Sequence, residues 1–326
     1  MNFLKNKILL ITGGTGSFGS AAVEFLTKKC KLKKIINLSR DENKQFEMQK
    51  KFKNKNLSFF LGCLRDEERL VMALKDVEYV IHAAAQKQIP ASEYNPIECI
   101  KTNVYGSQSI ITASIKTKVK KVIALSTDKA CNPINLYGAS KLCAEKLFVN
   151  GNQLSGYKGT IFSVVRYGNV IASRGSVIPY FKELIQNNKR KVLPLTHKDM
   201  TRFFITLPDS VIFVMNSLNN MKGGEIYIPK MNSIYIKDLI KIIDSRAKIK
   251  IIGVRPGEKI HEMLVSPNES NLIYEQKNSF TIYPQGITNN KKIGKKIKLE
   301  FIYTSNLKKC LNKNKINHLI KKSKVL

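Results

Sequence analysis

Tyr137 and Lys141 stand four residues apart in Tyr137-Gly-Ala-Ser-Lys141, within a stretch that reads as a helix. Residues at that spacing share one helix face, so the ammonium can sit beside the phenol and pull its pKa down from about 10. A phenol tuned in this way accepts a proton near neutral pH. Just upstream, Ser126-Thr127-Asp128-Lys129 closes the apolar run Val122-Ile123-Ala124-Leu125, whose pattern predicts a buried strand. Ligands of open α/β sheets bind at the carboxyl ends of strands. An acid and a further amine at such an end, beside a tunable Tyr, point to chemistry that moves several protons as well as a hydride. A Y-x-x-x-K pair alone is weak, because both residue types are common in this chain; its context gives it force.

That context starts near residue 7. Lys7-Ile-Leu-Leu-Ile-Thr12 predicts a short strand, and Gly13-Gly-Thr15-Gly16-Ser17-Phe18-Gly19 follows it directly. A helix is predicted next, with Ala22, Val23, Phe25 and Leu26 at core spacing. Glycines at a strand-to-helix turn let the backbone approach a pyrophosphate, and the helix N-terminus favours the anion. Gly13, Gly16 and Gly19 follow G-x-x-G-x-x-G, a variant of the dinucleotide fingerprint. A second strand, Lys34–Ser39, ends without a carboxylate; Ser39, Arg40 and Lys44 cluster there instead. A carboxylate at this point would hold a ribose 2′-hydroxyl, whereas an Arg accommodates a 2′-phosphate, so the cofactor expected is NADP. Asp41 is read as the cap of a helix opening at Glu42.

Beyond these come predicted strands at Leu57–Leu61, Tyr79–Ala84 and Gly159–Arg166, and helices at Glu67–Leu74, from Pro96 to Lys116 and around Tyr137. Strands alternating with helices imply an α/β fold with a Rossmann-like, doubly wound parallel sheet. From Tyr167 the pattern loosens into short strands, such as Glu225–Ile228 and Ile249–Ile252, and short helices. We therefore expect a nucleotide-binding domain over residues 1–166, carrying the catalytic motifs. Residues 167–326 are expected to form a smaller C-terminal α/β substrate lobe, with segments that return to the first domain.

The 326 residues hold 56 Lys and Arg against 24 Asp and Glu, a formal net charge of +32. Such a charge usually signals nucleic acid or an anionic membrane. Here the excess is almost all Lys scattered with Asn and Ile, and no Trp is present, so no nucleic-acid partner is expected. The densest run, Lys291–Lys298, reads as a solvated loop. The six cysteines form no C-x-x-C and the four histidines are dispersed, so no metal site is expected and a reducing, cytoplasmic setting fits. No apolar run approaches membrane-spanning length.

In their order, the glycine turn, Thr-Asp-Lys and Y-x-x-x-K make the chain resemble the extended short-chain dehydrogenase/reductase superfamily. It is most similar to the inverting UDP-N-acetylglucosamine 4,6-dehydratases that begin pseudaminic acid synthesis. Matching runs include Lys101-Thr-Asn103, Arg166-Tyr-Gly-Asn-Val170, Ser173-Arg-Gly-Ser-Val177, Thr201-Arg-Phe-Phe-Ile-Thr206 and Val254-Arg-Pro-Gly-Glu-Lys259. Dehydratases that retain configuration at C5 carry Glu where this chain has Lys129, and 4-epimerases of the superfamily usually lack the acid pair. Sister capsule and O-antigen dehydratase/5-epimerases tend to read Arg-His-Gly-Glu-Lys where this chain has Arg255-Pro-Gly-Glu-Lys259.

The resemblance implies NADP as cofactor, UDP-N-acetylglucosamine as substrate and UDP-2-acetamido-2,6-dideoxy-β-L-arabino-hexos-4-ulose as product. It also implies a homo-oligomer, dimer or hexamer. Tyr137, with Lys141, would take the O4 proton, and Thr127 would share that hydrogen bond. Lys129 would take the C5 proton, and Asp128 would protonate the departing C6 hydroxyl. Cofactor contacts are implied for Gly13, Thr15, Gly16, Ser17, Phe18, Gly19, Ser39, Arg40, Lys44, Cys63, Leu64, Ala83, Tyr137, Lys141 and Val170. Substrate contacts are implied for Lys87, Thr127 and Asn169, for Val177, Ile178 and Pro179 near the uracil, for Arg202 and Arg255 at the diphosphate, and for Glu258 at the ribose. Two positions depart from the family. Cys63 stands where an Asp usually meets the adenine, and His197 replaces an Asp.

Overall fold

The structure is a computed structural model that describes residues 1–171, 173–187, 192–284, 292–306 and 310–323. Its first half alternates β1 (Ile8–Thr12), α1 (Ser17–Lys29), β2 (Lys34–Ser39), α2 (Glu42–Lys51), β3 (Leu57–Leu61), α3 (Glu67–Ala73) and β4 (Tyr79–His82). Then follow α4 (Ile89–Tyr94), α5 (Pro96–Ile100), α6 (Gly106–Lys116), β5 (Lys121–Thr127), α7 (Leu136–Ser155) and β6 (Ile161–Tyr167). The second half adds β7 (Asn169–Val170), α8 (Val177–Asn187), β8 (Val192–Leu195), β9 (Thr201–Ile205), α9 (Leu207–Asn220), β10 (Ile226–Pro229), β11 (Asn232–Tyr235) and α10 (Ile236–Ile243). It ends with β12 (Lys248–Ile251), β13 (Met263–Val265), β14 (Ile273–Glu275), β15 (Ser279–Ile282), β16 (Lys295–Lys296), β17 (Tyr303–Thr304) and α11 (Lys313–Lys322).

Local chemistry sets the boundaries. Asp41 caps α2 by accepting from the Lys44 N–H at 2.9 Å, as the sequence implied, and Asp66 does the same for α3. Asn135 caps α7 by accepting from the Gly138 N–H at 2.7 Å, and Gly156 ends that helix at φ 75°. Between α5 and α6 the expected continuous helix widens into a π-turn over Lys101–Tyr105. That turn aims Asn103 at its neighbours: its amide oxygen accepts from the Gln86 N–H at 2.8 Å, and its amide nitrogen donates to Ser140 Oγ at 2.9 Å. The loop after β4 is thereby tied to α7, three residues from Tyr137.

The central sheet runs in the order β16-β14-β15-β10-β6-β5-β4-β1-β2-β3. From β3 to β10 every pairing is parallel, and β15, β14 and β16 extend the sheet antiparallel. Strand β5 is buried from Val122 to Thr127, as a parallel strand covered by helices on both faces should be. The order reverses between β1 and β4, the switch point at which such sheets bind ligands. The strand read at Glu225–Ile228 lies in this sheet, as β10 beside β6. The basic run is also more than a loop, since Lys295 and Lys296 pair with Glu275 and Tyr274; Lys291 is outside the described residues.

Two apolar clusters hold the molecule. The larger packs helices on the sheet and includes Leu9, Leu10, Val122, Ile123, Phe148, Phe162 and Val214. The smaller gathers Ile171, Ile178, Phe181, Leu193, Phe204, Leu239 and Ile316 around β8, β9, α8 and α10. The two meet along a cleft of about 1200 Å³ at the carboxyl ends of β1, β4 and β5. That exceeds the roughly 300–1000 Å³ of a typical small-molecule site.

Candidate active site

One end of the cleft is the glycine turn. Gly13 has φ +66°, and a Cβ there would lie 2.7 Å from the Ala84 Cα, so the turn presses against the end of β4. The N-cap of α1 is Gly16, which makes no side-chain cap bond, so the helix's first N–H groups stay available to an anion. Ser39 and Arg40 end β2 on the same side. Arg40 is exposed, lines the cleft and makes no ion pair among the described residues. Lys44 also lines it but pairs with Asp41, the cap of its own helix. This end fits a dinucleotide.

Further along the cleft, Cys63 sits beside a guanidinium. Arg65 Nε donates to Cys63 Sγ at 3.3 Å. Burial raises the thiol, but bonds from Arg65 more than offset this and hold it below its ordinary value. All fifteen positions assigned to the cofactor line the cleft, including Leu64, Ala83 and Val170.

The middle of the cleft gathers buried titratable groups. Gly138, in the first turn of α7, sits so close to the Thr-Asp-Lys turn that a Cβ would lie 2.3 Å from the Lys129 carbonyl oxygen. The helix carrying Tyr137 and Lys141 thus rests directly on the backbone of Lys129. Lys141 is buried, and its Nζ donates to the Leu125 carbonyl at 2.7 Å. Burial brings its pKa down to about 8, with Glu145 opposing. Burial pushes the Tyr137 phenol up to about 12, and the groups that pull it back are the Lys129 ammonium and a hydrogen bond with Thr127. The sequence assigned that pull to Lys141; the structure gives it to Lys129, because Lys141 is anchored to β5.

Asp128 is fully buried behind the cleft wall. Its Oδ1 accepts from Thr127 Oγ1 at 2.9 Å and from Lys129 Nζ at 3.0 Å, and its Oδ2 has no partner. Lys129 reaches the cleft and also donates to Asn169 Oδ1 at 3.4 Å. Its third oxygen neighbour is Glu262 Oε1 at 3.3 Å, from a residue that sequence reasoning missed. An isolated Glu 133 positions away carries no spacing signal (262 − 129).

The substrate-side assignments divide. Asn169, Val177, Pro179, Arg255, Glu258 and Lys87 line the cleft. Ile178 does not; at 1% exposure it belongs to the smaller core, since its neighbours on α8 face opposite ways. Arg202 lines the wall but its donors are engaged internally. Nη1 donates to the Thr201 and Ile260 carbonyls at 2.8 and 3.0 Å, Nη2 lies 3.4 Å from Glu258 and Nε 3.7 Å from Glu262. Arg255 is the exposed guanidinium on that wall, and it makes no ion pair among the described residues. Arg174, quoted in the sequence motif but given no role, donates from its backbone to Ser17 Oγ at 2.9 Å and from its guanidinium to the Thr15 carbonyl. Lys87 Nζ donates to the Arg174 carbonyl at 2.7 Å, so this segment straps the glycine turn.

Comparison with known proteins follows the same lines. Residues 9–284 match the family of polysaccharide biosynthesis proteins. A UDP-N-acetylglucosamine 4,6-dehydratase (inverting) of Campylobacter jejuni is 53% identical over 278 residues, covering 85% of this chain and 83% of its own length. A UDP-glucose 4-epimerase of Rickettsia bellii is 41% identical over 97% of this chain and 95% of its own. The X-ray structure of Pen from Bacillus thuringiensis superposes with a TM-score of 0.92 at 35% identity, covering 99% of both chains. The strand-end site, the glycine turn and these likenesses run the length of one sequence, and the chain belongs to the polysaccharide biosynthesis protein family.

Proposed function

We propose that this enzyme is a UDP-N-acetylglucosamine 4,6-dehydratase that inverts C5, a hydro-lyase acting in the cytoplasm at the entry to pseudaminic acid synthesis. The observation that carries the reading is Lys129, held in the cleft between Asp128, Asn169 and Glu262 and beside Tyr137. A 4-epimerase needs a base at O4 and no more, so a second acid–base set at this point has no use in it. The epimerase name borne by the Rickettsia relative is the competing reading, at lower identity. No helix among the described residues is long and apolar enough to cross a membrane.

A nicotinamide dinucleotide, NADP by the chemistry of Arg40, supplies the hydride acceptor at C4 and the hydride donor at C6. The chain's residues do the rest. Tyr137 takes the O4 proton as its phenolate, the form that the Lys129 ammonium and the Thr127 hydrogen bond favour against burial, and the resulting C4 ketone makes the C5 proton acidic. Lys129 takes that proton. Asp128, whose carboxyl burial raises, supplies the proton that departs with the C6 hydroxyl, and the Thr127 hydroxyl, which donates to Asp128 Oδ1, lies between it and the cleft. Arg255 faces the diphosphate, and Glu258, whose Oε2 is unpaired, accepts from the ribose. NMR of the product from UDP-N-acetylglucosamine tests the reading: a 4-keto-6-deoxy sugar inverted at C5 is expected, and a 4-epimer with C5–H intact overturns it.

A further inference from the structure

The geometry points to Glu262 as the proton acceptor for Lys129, so that the base acting at C5 is a two-residue relay in which Lys129 touches the sugar and Glu262 takes the lysine's proton. This rests on the dehydratase reading and deepens it. An ammonium has no lone pair, so Lys129 must lose a proton before it can remove one. Its Nζ has three oxygen neighbours: Asp128 Oδ1 at 3.0 Å, Glu262 Oε1 at 3.3 Å and Asn169 Oδ1 at 3.4 Å. The Asn amide is no base. Asp128 is enclosed at 0% exposure and is already committed to holding the proton for the leaving hydroxyl. Glu262 is 2% exposed and lines the cleft, and its Oε2 has no hydrogen-bond partner, leaving an oxygen ready for a proton.

The charges around Glu262 set its resting state as the ionised partner of the Lys129 ammonium. Lys129 approaches from the end of β5, Arg202 from β9 at 3.7 Å, and Lys259 from its own segment, with Glu258 drawn toward Arg202 and His261 beside it bonded to Thr201. Burial raises the Glu262 carboxyl, but Lys129, Arg202 and Lys259 more than offset it and keep it ionised. Burial raises Asp128 against the pull of Lys129. Burial lowers Lys129, and Asp128 and Glu262 overcome that and hold it as ammonium at rest.

The steps balance. A Lys129 N–H bond breaks as a Glu262 O–H bond forms, and the freed lone pair takes the C5 proton while the C5–H electrons delocalise into the C4 carbonyl. Asp128 gives its proton to the leaving hydroxyl and becomes a carboxylate. The proton on Glu262 then returns through Lys129 to Asp128, and the O4 proton collected at Tyr137 equals the one restored to C5.

The test uses the whole enzyme with UDP-N-acetylglucosamine in D2O, comparing parent, Glu262→Gln and Glu262→Asp. Two readouts are followed across pH: nicotinamide absorbance for the C4 step, and NMR for loss of the C5 proton. Glu262→Gln should reduce the nicotinamide near the parent rate with an unchanged KM, yet lose the C5 proton at least about a hundredfold more slowly at neutral pH. Parent C5 exchange should fall on the acid side as Glu262 gains a proton. In Glu262→Gln that acid limb should vanish and the rate should climb with pH as solvent deprotonates Lys129. Glu262→Asp should recover at least about tenfold. The relay is overturned if Glu262→Gln exchanges C5 at the parent rate, slows both steps equally, or keeps the parent pH profile. A parent that yields 4-epimer without C5 exchange instead sinks the dehydratase reading, and the relay with it.

Discussion

Two cations in this protein, one buried and one half-buried, each sit between two carboxyl groups, and they are built to opposite ends. Arg166 is 1% exposed, and its forks meet Glu145 at 3.0 and 2.6 Å, Glu269 at 3.1 and 2.8 Å, and the Leu264 carbonyl at 2.9 Å. Every oxygen of both carboxylates is paired. Lys129 meets Asp128 and Glu262 through one oxygen each, leaves Asp128 Oδ2 and Glu262 Oε2 without partners, and keeps 18% of its side chain exposed. Guanidinium geometry closes a network and fixes its charges. An ammonium with spare carboxylate oxygens around it leaves places for a proton to go. The first arrangement pins α7 to the segment after β13; the second can do chemistry.

The largest effect expected from breaking this contrast is at Lys129. Lys129→Ala should cut release of 4-keto-6-deoxy sugar by about a hundredfold to ten-thousandfold, with no solvent deuterium at C5. Nicotinamide reduction on mixing should survive in Lys129→Ala and be blocked in Tyr137→Phe. Failure of Lys129→Ala at the hydride step would remove the role assigned to it. Arg166→Met should leave Glu145 and Glu269 uncompensated, at a cost of about 3–5 kcal/mol, and lower Tm by roughly 10 °C. If Lys129→Ala lowers Tm as much as Arg166→Met does, the distinction between the two centres fails.

His82 sharpens the comparison by showing a third way to bury a titratable group, as a neutral one. It is 1% exposed, lies 3.0 Å from Thr12 Oγ1, and burial, with Lys141 adding to it, depresses its pKa to about 3. Between an unfolded value near 6.5 and that depressed value, the unfolded chain binds a proton the folded protein refuses. Stability is therefore present above pH 6.5 and is lost as pH falls toward 3, by on the order of 5 kcal/mol over the full span. Denaturant titrations of parent and His82→Gln at several pH values should show that slope reduced in the variant. Equal slopes would place the acid sensitivity elsewhere.

The smallest effect concerns Arg40, a cation with no protein partner among the described residues. Arg40→Ala should weaken NADP binding about tenfold while NAD affinity barely moves. Equal losses would give Arg40 a structural role.

What the sequence carried well was contiguous. The glycine turn, the Thr-Asp-Lys turn and the Tyr137 helix are each read within a few residues, because turn geometry and helix periodicity are local. Glu262, the Arg166 clasp and the contacts of Arg202 with Ile260 and Glu258 pair residues 21 to 133 positions apart, and no local pattern encodes such pairings. The place of β10 was hidden for a related reason. A four-residue apolar strand looks the same in either half of the molecule, and only tertiary packing sends it beside β6.

That placement of β10 has a consequence for how the protein is made. Residues up to 167 can assemble the parallel strands from β3 to β6 as they leave the ribosome, but the outer side of β6 then offers unpaired backbone groups until residues 226–229 arrive. Open strand edges recruit other chains, and N-terminal segments fold first during synthesis. Translation between those two points is the interval in which the nascent chain most needs shielding from its neighbours.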